Sequence, residues 1–74
     1  MRGDPLVETI CGCDGGCGAT KLTRDRDTFY IYFEEGEALP FRLNDTHLRA
    51  SADLSAHESL AQARAAAQIR ADGH

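Results

Sequence analysis

Near the middle of the chain runs Thr28-Phe29-Tyr30-Ile31-Tyr32-Phe33-Glu34, a segment of aromatic and β-branched residues. Such residues favour β-strands, and side chains along a strand alternate between its two faces. One face of this strand therefore carries Phe29, Ile31 and Phe33, and the other carries Tyr30 and Tyr32. We predict that the first face belongs to the core.

Upstream of this segment, the sequence predicts a hairpin. Leu6 to Cys13 and Ala19 to Thr23 are suited to two strands, and Asp14-Gly15-Gly16 lies between them. Glycine adopts the positive φ values that hairpin turns require. A polar connection, residues 24–27, then leads into the central strand.

Downstream, a fourth strand is predicted after a turn at Glu35-Gly36-Glu37. Its apolar residues alternate at Leu39, Phe41 and Leu43. Pro40 cannot donate a ladder hydrogen bond, so we expect this strand to lie at a sheet edge or to turn the proline position towards solvent.

The composition changes near Asn44, after which helix-forming residues dominate. Asn44 or Asp45 could cap a short segment, and Ser55-Ala56-His57-Glu58 matches a capping box for a helix from Ala56 to Ala71. Gly73 is a suitable stop. One helix face carries small and apolar side chains: Ala56, Leu60, Ala63, Ala67 and Ala71. Ile69 falls on the opposite side, free to face a partner.

These patterns predict an α+β fold, with a small antiparallel sheet of three to four strands followed by a C-terminal helix packed on one face. The 74 residues form a single domain, 1–74, with strands within 6–43 and a helical region within 45–71. A chain this short, without Trp, has a marginal core, so a crosslink, a metal or a homodimer would help to stabilise it. No signal peptide or membrane span is recognisable, which predicts a soluble, cytoplasmic protein.

All three cysteines, Cys11, Cys13 and Cys17, lie in one glycine-rich stretch. A two-residue turn at Gly15-Gly16 would put Cys17 on the face opposite the other two, whereas a three-residue loop would pair Cys13 with Cys17 and put all three on one face. The second register suits a cross-strand disulfide or a zinc ion, with His47 or His57 as the fourth ligand. Free thiols are the third alternative.

Catalysis is not expected, because the chain is short and no nucleophile–base spacing or phosphate-binding motif is present. We expect no cofactor, with zinc as the alternative.

The charge of the chain points to a protein partner. Its net charge is −4, and residues 1–45 hold nine acidic and five basic side chains. This balance disfavours direct nucleic-acid binding and favours a basic protein.

The predicted partner-binding residues flank the central strand: Asp25 and Asp27 at one end, Glu34, Glu35 and Glu37 at the other, and Tyr30 and Tyr32 between them. Tyrosines within an acidic rim suit a basic surface. The alternative is that the tyrosine face is covered by the C-terminal helix or by the first hairpin.

Small size, acidic balance, strand-then-helix order and the lack of a catalytic signature together resemble small acidic inhibitors of phages and mobile elements, of the anti-CRISPR type. The resemblance is one of class and assigns no site residues. It implies a non-enzymatic inhibitor that blocks nucleic-acid binding by a basic partner, such as a CRISPR effector subunit. The alternative function is a small zinc-stabilised regulatory module built on the cysteines.

Overall fold

The computed structural model describes residues 4–13 and 17–73. Five strands form one antiparallel sheet in chain order: β1 (Val7–Ile10), β2 (Thr20–Arg24), β3 (Asp27–Phe33), β4 (Phe41–Asn44) and β5 (Ser55–His57). A 3-10 turn, His47–Arg49, lies between β4 and β5, and the helix α1 (Leu60–Asp72) follows β5 and packs against the sheet. The predicted α+β fold is therefore confirmed, with one strand more than expected.

The additional strand, β5, occupies residues that the sequence predicted to open the helix. Ser55 pairs with Leu43 and Ala56 with Arg42, so these backbone groups bond to β4 rather than to a helical turn. β4 is consequently an interior strand, not an edge strand. Pro40 lies just before β4, and its carbonyl accepts a hydrogen bond from the Glu34 amide at 2.7 Å.

The helix begins at Leu60, four residues later than predicted. Ser59 is its N-cap, and the Ser59 hydroxyl accepts a hydrogen bond from the Gln62 amide at 3.2 Å. Gly73 follows the last helical residue, as expected. The predicted caps at Asn44 and Asp45 are wrong, because Thr46 precedes the short 3-10 turn and makes no side-chain capping bond.

The main core lies between α1 and one face of the sheet. Its buried members come from both layers: Leu22, Phe29, Ile31, Leu43, Ala63, Ala67 and Ala71. The predicted alanine stripe lets the helix approach the sheet closely, because the alanine side chain is small. Ile69 is 72% exposed on the outer side, as its position on the helix predicted.

Phe33 does not belong to this core, contrary to prediction. Its side chain is 62% exposed, although the alternation places it on the same face as Phe29 and Ile31. Phe33 is the last residue of β3, at an end of the sheet that α1 leaves open, and its ring contacts Phe41 edge to face at 5.2 Å.

The opposite face of the sheet carries a second, smaller cluster. Cys11, Ala19 and Tyr32 are buried there, and three half-buried side chains pack against them: Cys13, Cys17 and Tyr30.

The part of the chain that the structure describes contains no helix with the length and apolar character needed to span a membrane.

Candidate metal centre

The register of the first hairpin brings the cysteines together. Ile10 pairs with Thr20, and the Cys11 amide donates to the Ala19 carbonyl at 2.9 Å, which extends the ladder beyond the strands. Continued along the chain, the same register sets Cys13 opposite Cys17. The predicted turn, Asp14-Gly15-Gly16, lies outside the described residues.

The three cysteines meet one histidine on the second face of the sheet. The ligand atoms of Cys11, Cys13, Cys17 and His47 all lie within 4.8 Å of one another. Cys17 Sγ lies 4.0 Å from His47 Nε2, and the Cys17 amide donates to Cys13 Sγ at 3.2 Å. All three cysteines are free thiols, so the Cys13–Cys17 disulfide, one of the alternatives that the sequence left open, is not formed.

This donor set matches a zinc site of the Cys3His type. Around tetrahedral zinc the ligand atoms lie about 3.3–3.8 Å apart, because Zn–S is about 2.3 Å and Zn–N about 2.0–2.1 Å. The separations of up to 4.8 Å here would close around an ion with shifts of about 1 Å or less. Four protein ligands also make a closed site, which is typical of structural rather than catalytic zinc.

Lys21 supplies positive charge beside the thiols. It lines an open cavity of about 400 Å³ together with Cys11, Cys13, Tyr30 and His47. In the part of the chain that the structure describes, no carboxylate lies within ion-pair distance of Lys21. Three thiolates and one Zn²⁺ would leave one negative charge in excess, which the ammonium can offset.

His47 reaches the thiols from an unusual turn. Leu48 and Arg49, the residues that follow it, have φ values of 58° and 56°, a region that costs non-glycine residues about 1–3 kcal/mol each. The Tyr32 hydroxyl accepts a hydrogen bond from the Leu48 amide at 2.7 Å and donates to the Thr46 carbonyl at 3.4 Å. Burial raises the pKa of this phenol in spite of the amides of Leu48 and Arg49 that face it.

Arg49 holds the other end of the turn. Its guanidinium pairs with Glu34 and, at 2.6 Å, with Asp53, and it lies 5.9 Å from the centre of the Tyr32 ring. Burial alone would raise the pKa of Asp53, but hydrogen bonds from Arg49 and Asn44 outweigh it and hold this pKa below its ordinary value.

Asn44 organises the loop between β4 and β5 from within. It is fully buried, and its Nδ2 donates to the Ser51 carbonyl and to Asp53 Oδ1, both at 3.0 Å. Its Oδ1 accepts from the Thr46 amide at 2.8 Å and from the Thr46 hydroxyl at 2.7 Å. Sequence reasoning treated Asn44 as a helix cap and missed this role, since only the pairing of β5 with β4 buries the side chain.

The other zinc candidate, His57, lies away from the thiols. It is the last residue of β5, and its Nε2 is 2.7 Å from the Ser55 hydroxyl. The structure therefore brings His47, and not His57, to the cysteines.

The two tyrosines predicted to bind a partner lie beneath the cysteine segment. Tyr32 is 9% exposed, and Tyr30 is half-buried with its ring 5.6 Å from that of His47. The first hairpin thus covers this face. The hairpin and the C-terminal helix were the two alternatives that the sequence left open for such a cover.

Several of the predicted acidic residues take part in ion pairs. Asp27 lies 3.7 Å from Arg24, Glu37 lies 3.1 Å from Arg42, and Glu34 pairs with Arg49. Asp25 and Glu35 lie on the surface as exposed residues. Whether any of these residues binds a partner stays a prediction.

Comparisons of the chain with protein-family models, with curated proteins and with solved structures found no significant match.

Proposed function

We propose that this protein is a small, non-enzymatic module stabilised by one zinc ion bound to Cys11, Cys13, Cys17 and His47. The observation that carries the proposal is the convergence of four ligand atoms within 4.8 Å. Sulfur and imidazole donors in a tetrahedral set are those that zinc prefers. The ammonium of Lys21, which lines the same cavity, would offset the excess negative charge of such a centre.

The ion would act as a crosslink between distant parts of the chain. It would join the end of the first hairpin to the turn at His47, which lies 30 residues after Cys17. A domain of this size gains much of its stability from such a link, because its core is small. A closed four-ligand site leaves no position for a substrate at the metal, so we assign it no catalytic role.

Inhibition of a basic, nucleic-acid-handling protein is a second proposal for the same module. It is supported by the net charge of −4 and by the acidic excess of residues 1–45. The metal centre and this activity are compatible, because the cysteines and the acidic residues are different side chains.

Zinc titration followed by native mass spectrometry and chelator competition tests the metal proposal. We expect the wild-type protein to retain one zinc ion per chain. Cys17→Ser and His47→Gln should each weaken binding by more than about tenfold, the least that losing even an outer partner of a metal site usually costs.

His57→Gln is the matched control, since this histidine lies outside the cluster, and it should bind zinc like the wild type. The proposal is overturned if the wild type retains no stoichiometric zinc, or if His57→Gln weakens binding as much as His47→Gln.

A further inference from the structure

The end of the β3–β4 hairpin exposes apolar side chains on the face opposite the metal centre. Phe33 is 62% exposed, and Phe41 is half-buried beside Phe33. Strand pairing extends this group across the sheet, because Phe33 pairs with Phe41 and Phe41 pairs with His57. We call Phe33, Phe41 and His57 the aromatic row.

Two exposed carboxylates adjoin the aromatic row in the sequence. Of the three glutamates in residues 34–40, Glu34 pairs with Arg49 and Glu37 pairs with Arg42, and the third is Glu35. Glu35, two residues after Phe33, and Glu58, directly after His57, are both exposed. Within residues 4–13 and 17–73 no basic group lies within ion-pair distance of either one.

We propose that the aromatic row binds a protein segment that carries lysine or arginine next to an apolar side chain. The apolar side chain would pack on Phe33, and the basic groups would pair with Glu35 and Glu58. This inference goes beyond the zinc proposal and does not depend on it, since it concerns the other face of the sheet.

Charge complementarity decides between the occupants of this surface. A purely apolar segment would leave the two carboxylates desolvated without partners, and an acidic segment or a nucleic acid would be repelled. A second copy of the chain, in a symmetric contact through the same surface, would bring two acidic patches together, with Glu35 and Glu58 of both copies at one interface. A segment that is both basic and apolar can pack on the Phe33 ring and also pair with the two carboxylates.

The test uses two synthetic decapeptides, one alternating arginine with leucine and one alternating glutamate with leucine, added to the ¹⁵N-labelled full chain. We expect saturable binding of the arginine peptide only, with amide shifts confined to residues 33–41 and 57–58. Phe33→Ser should weaken this binding by at least about tenfold, as expected for an aromatic anchor. Ile69→Ser, which removes an equally exposed apolar side chain from α1, should leave it unchanged.

The double variant Glu35→Gln, Glu58→Gln provides a second measure that does not alter packing. It should weaken binding of the arginine peptide and flatten its dependence on salt. The proposal is overturned if the arginine peptide does not bind saturably, if the glutamate peptide binds equally well, or if Ile69→Ser weakens binding as much as Phe33→Ser. Self-association of the wild type that Phe33→Ser abolishes would also overturn it, in favour of a second copy.

Discussion

Two buried side chains determine where His47 points. Asn44 closes the loop after β4 through its amide, and the Tyr32 hydroxyl bonds to the backbone on both sides of His47. These bonds compensate for the positive φ angles of Leu48 and Arg49, so the imidazole is held near the thiols by the fold itself.

Removing the Tyr32 hydroxyl should therefore disturb both the fold and the centre. Tyr32→Phe leaves the Leu48 amide without its acceptor, and we expect a loss of about 1–3 kcal/mol in the free energy of unfolding. Tyr30→Phe is the control, because within the described residues the Tyr30 hydroxyl has no hydrogen bond. Urea unfolding measures both, and equal losses in the two variants would show that the hydroxyl of Tyr32 does not support the turn.

The lowered pKa of Asp53 predicts how the free energy of unfolding changes with pH. Its pKa in the folded protein lies below the ordinary value of 3.8, so its contribution to stability is complete above that value and is lost as the pH falls through the lower, folded pKa. Asp53→Asn lacks this contribution. The wild type should be more stable than the variant at neutral pH, and the gap in unfolding free energy should narrow below pH 3.8. A gap that is constant with pH would mean that the charge of Asp53 is unimportant.

The spacing of the cysteines left two hairpin registers open, and the structure has the one that puts all three thiols on one face. The choice between His47 and His57 could not be predicted from the sequence. It depends on the conformation of the loop after β4, which the buried amide of Asn44 and two positive φ angles determine, and no local pattern reports either feature.

At the level of elements, the start of the helix shows how tertiary pairing overrides a local signal. Ser55-x-x-Glu58 and Ser59-x-x-Gln62 both match a capping box, and propensity alone does not choose between them. The structure uses the second, because residues 55–57 pair with β4 as a strand. The sequence thus predicted the existence and the buried face of the helix but not its first residue.

Substituting Ser55 and Ser59 one at a time shows which of them caps the helix. Ser59→Ala removes the N-cap and should cost about 0.5–2 kcal/mol in the free energy of unfolding. Ser55→Ala removes a hydroxyl whose one hydrogen bond among the described residues is to the His57 ring, at 2.7 Å, and should cost less. Thermal or urea unfolding followed by circular dichroism measures both. A larger loss for Ser55→Ala would contradict a helix that begins after Ser59.

In the whole molecule, the sheet separates two clusters of buried side chains. One face packs against α1 and forms the main core, and the other carries the cysteine cluster above Tyr30 and Tyr32. The alternation of β3 predicted this division of side chains between faces. The alternation could not predict that α1 leaves Phe33 exposed, because this depends on the position of the helix over the sheet.

The composition of the main core explains why a metal ion on the second face would matter. This core relies on alanines and few large side chains, so a zinc ion would add stability that the core lacks. Phe33, at the centre of the proposed binding surface, belongs to neither buried cluster.

Zinc K-edge X-ray absorption of the protein, loaded with one equivalent of zinc, reads the donor atoms at the ion. We predict a shell of three sulfurs at about 2.3 Å and one nitrogen at about 2.0–2.1 Å, from Cys11, Cys13, Cys17 and His47. His47→Gln should lose the nitrogen and keep the sulfurs, whereas His57→Gln should leave the shell unchanged. A shell of oxygen and nitrogen without sulfur would contradict the zinc centre.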